Sequence, residues 1–331
     1  DGFTYWVTMP HGHTTTFYNA DVIEGAEVRK EPQYLTKFWT DHGIQFIEQN
    51  KDRPFFLYLA YNGPYGLGGS MLADTDNGHA GEYANQEMKS FPREKMNPRL
   101  RGNKNLLNNP KAMRNYAAEV SGVDDGVGRI IETLKRLKLD DNTLVIFTAD
   151  QGLAVGQNGF WGMGDHTNPL TAYDWTTHTP LIFRLPKRIA AGARAKQLVS
   201  NYDFMPSLLD YLDLKNETPT KPPLPGRSYA ALLRGQAAPG DDAVYFEFEN
   251  TRAIRTPEWK YVTRFPGGLN ELYSLKDDPD ERRNLVDGSQ YAAVQERLSE
   301  QLERFFARYA DPQYDLSQGG RSKAKRRAGS E

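Results

Sequence analysis

Apolar residues recur at helical spacing in three stretches of the chain. Leu35, Phe38, Phe46 and Ile47 mark an amphipathic helix over 34–49. Met113, Tyr116, Val120, Val123, Val127 and Ile130 begin a longer helix over 111–138, and Val294, Leu298, Leu302 and Phe305 mark a last one over 291–309. Unbroken runs of β-formers lie between them. Residues 55–61 read as a strand apolar on both faces, the pattern of a parallel sheet covered by helices, and 143–150 and 180–183 read as further strands. A short strand at 198–200 leads into a helix with Asp203 as its N-cap. Strand, helix and strand in that order predict βαβ units.

The texture changes after a Pro- and Gly-rich linker over 214–242. Short strands over 244–249, 251–256, 259–263 and 271–275 are separated by turn residues and predict a small antiparallel sheet. Residues 1–30 read as polar and irregular. Residues 70–110 read as a long insertion-like loop, of the kind that often carries function. The expected fold class is α/β, a mostly parallel sheet flanked by helices, with a small C-terminal antiparallel sheet plus helix. The expected division is 1–242, 243–312 and a disordered basic tail over 313–331.

Composition adds exclusions. A chain of 331 residues suffices for one large domain, or one with a small partner. The formal net charge of −2 gives no electrostatic case for nucleic acid. Cysteine is absent, which removes thiolate metal sites, disulfides and a cysteine nucleophile. No apolar run reaches membrane-spanning length, and no signal peptide or initiator Met opens the chain, a start shared by processed mature chains and truncated fragments.

The candidate chemistry begins where the 143–150 strand ends. Ligands of open α/β sheets bind beyond the carboxyl ends of strands. Asp150 and Gln151 stand there and offer hard oxygens to a cation. The Gly-rich loop over 62–69 follows another strand and is a second candidate wall. His11 and His13 have metal-ligand spacing, but with no third ligand nearby a polar surface loop is the plainer reading.

The ordered combination of 54–62, 116–129, 143–152, 180–183 and 201–206 resembles the type I sulfatases of the alkaline-phosphatase-like superfamily. So does the later set Trp259-Lys-Tyr261, Glu271-Leu-Tyr273 and Asp278-Pro-Asp-Glu281. The resemblance covers about 30–310. It implies hydrolysis of sulfate esters by a formylglycine nucleophile made within a Cys/Ser-x-Pro-x-Arg motif. It also implies a Ca²⁺ ion held in part by Asp150 and Gln151, and a periplasmic or secreted location. The expected partner is a sulfated carbohydrate or aryl sulfate, with no nucleic acid and no membrane.

The sequence departs from that pattern at several points. Cys/Ser-x-Pro-x-Arg is missing; Ser90-Phe-Pro-Arg-Glu94 is a near miss, with Glu94 where Arg is required. The nucleophile is therefore expected in an N-terminal portion not present here. Asp124 and Asp125 lie within the long helix and are read as structural. Asn158 and Met163 replace the His and Lys that relatives carry, and Tyr65 replaces a His. His166, with Asp165 beside it, can take over as cation or proton donor, because imidazole titrates near neutrality. The candidate catalytic residues are His166 and Tyr65, and the candidate substrate contacts add Asn62, Asn158, Met163 and Asp165. Two alternatives stay open: a phosphodiester or phosphonate monoester hydrolase of the same superfamily, and a non-catalytic glycan- or anion-binding relative.

Overall fold

The computed structural model describes residues 2–10, 16–73, 77–237 and 242–322. His11 and His13 lie outside the described residues, as do 323–331 of the basic tail; 313–322 are described, with Asp315 paired to Arg252 at 2.9 Å. Two compact units divide the chain: residues 1–145 with 153–166, and residues 146–152 with 167–331.

The first unit opens on a small antiparallel sheet, β1 (Val7–Thr8), β2 (Ala20–Glu24) and β3 (Glu27–Glu31), in that order. This corrects the expectation of an irregular start. The β2–β3 hairpin turns through Gly25 and Ala26, with Glu24 opposite Glu27 and Gly25 at φ +65°. A II′ turn reserves that first central position for glycine. Only Ala20 and Val22 point inward, too short an alternation to stand out. They pack on Leu35, Phe38 and Trp39 of α1 (Leu35–Asn50).

After a short α2 (Ala80–Tyr83), α3 (Pro110–Arg136) runs beside α1. Asn109 caps α3 by accepting from Lys111 N at 3.0 Å, with Pro110 in the first turn and Lys135 and Arg136 in the last. Ion pairs join the two helices, Asp41 with Arg129 at 2.6 Å and Glu48 with Arg136 at 2.5 Å.

Residues 55–61 differ from expectation. They form no strand and pair with none among the described residues. Leu57 and Leu59 face Gly43 of α1, while Phe56 and Tyr58 are 63% and 73% exposed. An apolar run does not reveal whether one face or both will be covered. Its neighbours decide that: Gly43 of α1 covers the Leu57 and Leu59 side, while on the other side the Phe3 ring stands 6.3 Å from that of Phe56.

β4 (Val145–Thr148) leads into the second unit, and the chain returns to the first with β5 (Ala154–Val155) and β6 (Trp161–Gly162). The second unit then adds α4 (Asp174–Thr177), β7 (Leu181–Arg184), α5 (Phe204–Tyr211) and α6 (Ala230–Leu233), with β4 beside β7. Asp203 stands at the N-cap position of α5, as expected, but its side chain makes no capping bond there. Its carboxylate instead accepts from Ser200 N at 2.8 Å, completing a capping box on the preceding turn over 201–203.

The C-terminal part is the antiparallel sheet read from the sequence: β8 (Val244–Phe248), β9 (Thr251–Arg255), β10 (Trp259–Arg264) and β11 (Glu271–Ser274), in the order β11-β10-β9-β8. α7 (Ala292–Tyr309) lays Leu298, Leu302 and Phe306 on Ile254, Tyr261 and Leu272. The other face of β10 carries Lys260, Val262 and Arg264. The two cations reach segment 170–174: Lys260 Nζ donates to Ala172 O at 2.9 Å, and Arg264 Nε to Leu170 O at 3.1 Å. Lys260 also pairs with Asp174 at 2.5 Å and Glu281 at 2.7 Å. Among the described residues no helix is long and apolar enough to cross a membrane.

Candidate active site

Three loops of the first unit converge around the β5–β6 hairpin. In that hairpin Ala154 stands opposite Gly162 and Val155 opposite Trp161. The Trp161 indole is fully buried and donates to Gly66 O at 2.6 Å, which ties the 62–69 loop to β6. Segment 97–103 closes against the far end. Asn97 N donates to Gly159 O at 3.0 Å, Arg101 N to His166 O at 2.8 Å and Gly102 N to His166 O at 3.1 Å. Asn103 Oδ1 accepts from Gly68 N at 3.1 Å, joining the third pair of loops.

His166 sits where these loops meet. Its Nδ1 is 2.5 Å from Asp165 Oδ1. That hydrogen bond raises the imidazole above its ordinary value, against the opposing effect of partial burial. Two glycines grip the ring. A Cβ on Gly102 would lie 2.4 Å from His166 Cδ2, and one on Gly162 would lie 3.3 Å from His166 Cβ. Any side chain at Gly102 would have to displace the imidazole. Nε2 makes no hydrogen bond among the described residues. A carboxylate on one nitrogen and a free second nitrogen is the arrangement of an oriented general acid or base.

The 62–69 loop holds Asn62 and Tyr65, both half-buried. Trp39 Nε1 donates to Asn62 Oδ1, and Tyr65 N donates to Asn62 O at 2.9 Å. Asn158 and Met163 are half-buried on the hairpin, and Asn158 O accepts from Asn97 Nδ2 at 3.2 Å. The first unit thus brings the loops carrying Asn62, Tyr65, Asn158, Met163, Asp165 and His166 together.

Asp150 and Gln151 belong to the second unit. Both are exposed, just past β4. Asn201 Nδ2 fixes the backbone there, donating to Ala149 O at 3.2 Å and Asp150 O at 3.1 Å. Gly152 N donates to Thr176 O at 3.2 Å. The Asp150 carboxylate has no protein partner among the described residues, so its oxygens are open to a cation. The donor chemistry suits calcium in kind but not in number. Ca²⁺ takes six to eight oxygens, and no group of three or more His, Cys, Asp or Glu that could hold a metal exists among the described residues.

The residues set aside on sequence grounds are occupied otherwise. Asp125 Oδ2 lies 2.7 Å from His79 Nε2 on the exposed side of α3, and Asp124 is exposed beside it. Sequence reading missed Gly102 and Trp161, which hold His166 and the 62–69 loop in place. The only signal for Gly102 was its position inside a long loop already suspected of function.

Comparison with known proteins adds five relations. A family model described as sulfatase matches residues 1–214, and one described as N-sulphoglucosamine sulphohydrolase, C-terminal, matches residues 165–308. An N-acetylglucosamine-6-O-sulfatase of Bacteroides thetaiotaomicron is 30% identical over 213 residues, covering 60% of this chain and 36% of that protein. An endo-4-O-sulfatase of the same organism is 25% identical over 345 residues, covering 95% of this chain and 64% of that protein. A solved structure in complex with its substrate, D-glucosamine-2-N,6-O-disulfate, superposes with TM-score 0.73 at 24% identity, over 94% of this chain and 78% of that one. The chain spans roughly one to two thirds of the length of these curated relatives.

Proposed function

This chain belongs to the sulfatase family and has its alkaline-phosphatase-like α/β fold, and we propose that it takes part in hydrolysing the sulfate ester of a carbohydrate. The observation that carries the reading is the Asp165–His166 pair with Nε2 open. A protonated His166 binds a sulfate oxygen by a charge-assisted hydrogen bond and gives its proton to the departing alcohol. Asp165 holds the ring and favours the protonated form. Tyr65 brings a hydroxyl on the neighbouring loop, where Asn62 is held between Trp39 and Met9. Lys95, Arg101 and Lys104 are exposed on the 90–104 stretch and have no ion-pair partner among the described residues, which favours an anionic substrate. The names of the relatives favour a sulfated amino sugar.

The sequence contains no cysteine and no Ser-x-Pro-x-Arg, so no nucleophile is assigned within it. Asp150 and Gln151 would contribute oxygens to a bound Ca²⁺, which when bound supplies positive charge to a sulfate. They fall short of a complete site, and no step here depends on the ion. β4 and β7 are the strands that would belong to the family's mostly parallel sheet.

Calorimetric titration of the protein with glucosamine 6-sulfate and with glucosamine, alongside assay of sulfate release, tests the reading. The sulfated sugar should bind selectively, and His166→Ala should weaken it by about tenfold or more. Equal affinity for the two sugars, or no change in His166→Ala and Tyr65→Phe alike, would overturn it.

A further inference from the structure

α3 buries a glutamate on the face turned toward α1. Glu119 is completely buried. Its Oε2 accepts a hydrogen bond from the Tyr34 hydroxyl at 2.5 Å. Among the described residues its Oε1 has no hydrogen-bond partner, and neither does the buried Thr36 hydroxyl in the first turn of α1. No cation among the described residues offsets the carboxyl. Burying an unpaired carboxylate is costly enough that such a group keeps its proton instead. Burial accordingly pushes Glu119 up to about 7, with the Tyr34 hydrogen bond opposing it.

The 62–65 turn lies against Glu119 Oε2 and Thr36 Oγ1. A Cβ on Gly63 would lie 3.1 Å from Thr36 Oγ1, 3.2 Å from Val123 Cγ2 and 3.3 Å from Glu119 Oε2. There is no room for the turn to settle deeper, and a change in hydration of the carboxyl must push against it. Asn62 and Tyr65 flank Gly63 and Pro64.

We propose that Glu119 is a positioning residue: its neutral carboxyl, held by Tyr34, seats the 62–65 turn, and ionisation unseats it together with Asn62 and Tyr65. The effect on turnover rests on the function proposed above, but the seating does not. The ionisable groups on the surrounding elements are Tyr34 before α1, Lys37, Asp41 and His42 on α1, Tyr61 in the extended segment, His79 and Glu82 around α2, and Tyr116, Asp124, Asp125 and Arg129 on α3. Arg129 is taken by Asp41, and His79 by Asp125 and Glu82.

Trp39 offers a native reporter, because its indole N–H donates to Asn62 Oδ1. The protein is labelled with 5-fluorotryptophan and its ¹⁹F spectrum followed from about pH 5 to about pH 9, with the Trp39 line assigned by Trp39→Phe. That line should titrate with a midpoint at about 7. Glu119→Gln should hold it at its low-pH position throughout. Tyr34→Phe, which removes the bond that favours the ionised form, should move the midpoint up; it also serves if Glu119→Gln does not fold. A static line in the wild type, an unchanged midpoint in Glu119→Gln (which would trace the titration to another group), or an unchanged or lowered midpoint in Tyr34→Phe would each overturn the proposal. If the line titrates as expected while affinity for the sulfated sugar stays independent of pH, the seating stands and Asn62 and Tyr65 are not substrate contacts.

Discussion

Lys260 Nζ lies 2.7 Å from Glu281 Oε1, and both side chains are almost fully sealed from solvent, at 2% and 0% exposure. The same ammonium reaches Asp174 Oδ1 at 2.5 Å, while Asp174 N donates to Glu281 Oε2 at 2.6 Å. Three points distant in the chain thus share one buried charge cluster. Burial works to raise both carboxyls. Lys260 and Arg255 nonetheless hold Asp174 below its ordinary range, while Glu281, which also faces Asp174, stays raised.

Lys260→Met should therefore destabilise the protein by about 3–5 kcal/mol, the usual penalty for leaving buried charge unpaired. Asp174, lowered in the folded state, contributes stability above its unfolded value that is lost as pH falls through the folded one. Without Lys260 that contribution disappears, and the two facing carboxyls gain from protonation. Chemical denaturation at two pH values checks this: the difference from wild type should shrink from about pH 7 to about pH 5. A difference that grows on acidification would contradict the cluster's assignment.

The His166 imidazole should titrate above its ordinary 6.5. Asp165→Asn should bring it back down. A raised histidine contributes stability that is fully present below its unfolded value and is lost as pH rises through its folded value. Proton NMR of the ring follows both, and a midpoint unmoved by Asp165→Asn would rule out the carboxylate as the cause.

Gly102→Ala should dislodge His166 while costing only about 1–3 kcal/mol of stability, the range for overpacking. If His166 acts on substrate, affinity for a sulfated sugar should fall as far as in His166→Ala. A well-folded Gly102→Ala protein with unaltered binding would separate the ring's position from function.

Trp161→Phe removes the donor to Gly66 O from a fully buried site. An unsatisfied buried carbonyl costs about 1–3 kcal/mol, which a melting experiment reads directly. The 62–69 loop should also become more open to proteolysis. Unchanged cleavage there would mean that the indole is not what holds the loop.

The parts legible from sequence were those whose pattern is long. α1, α3 and α7 each present several turns of apolar spacing, and the strands β8 to β11 are each closed off by turn residues. The β1–β3 sheet escaped notice because Val22 and Ala20 are its only inward apolar pair on β2. Residues 55–61 misled because apolarity alone does not say which face will be covered. In the candidate site, loop chemistry pointed to His166 and Asp165. Gly102, far upstream, has no chemistry to announce it, and Glu119 sits inside a helical pattern that tolerates a polar residue on most faces. Both matter through what packs against them, which only the folded chain reveals.

The grip of Gly102 and Gly162 on His166 leaves a signature for comparative genomics. Positions 102 and 166 should co-vary across relatives: lineages that keep an imidazole at 166 should admit only glycine at 102, and lineages that lost it should drift freely there. The pair would then serve as a marker, in sequence collections, for chains that hold an imidazole on this loop.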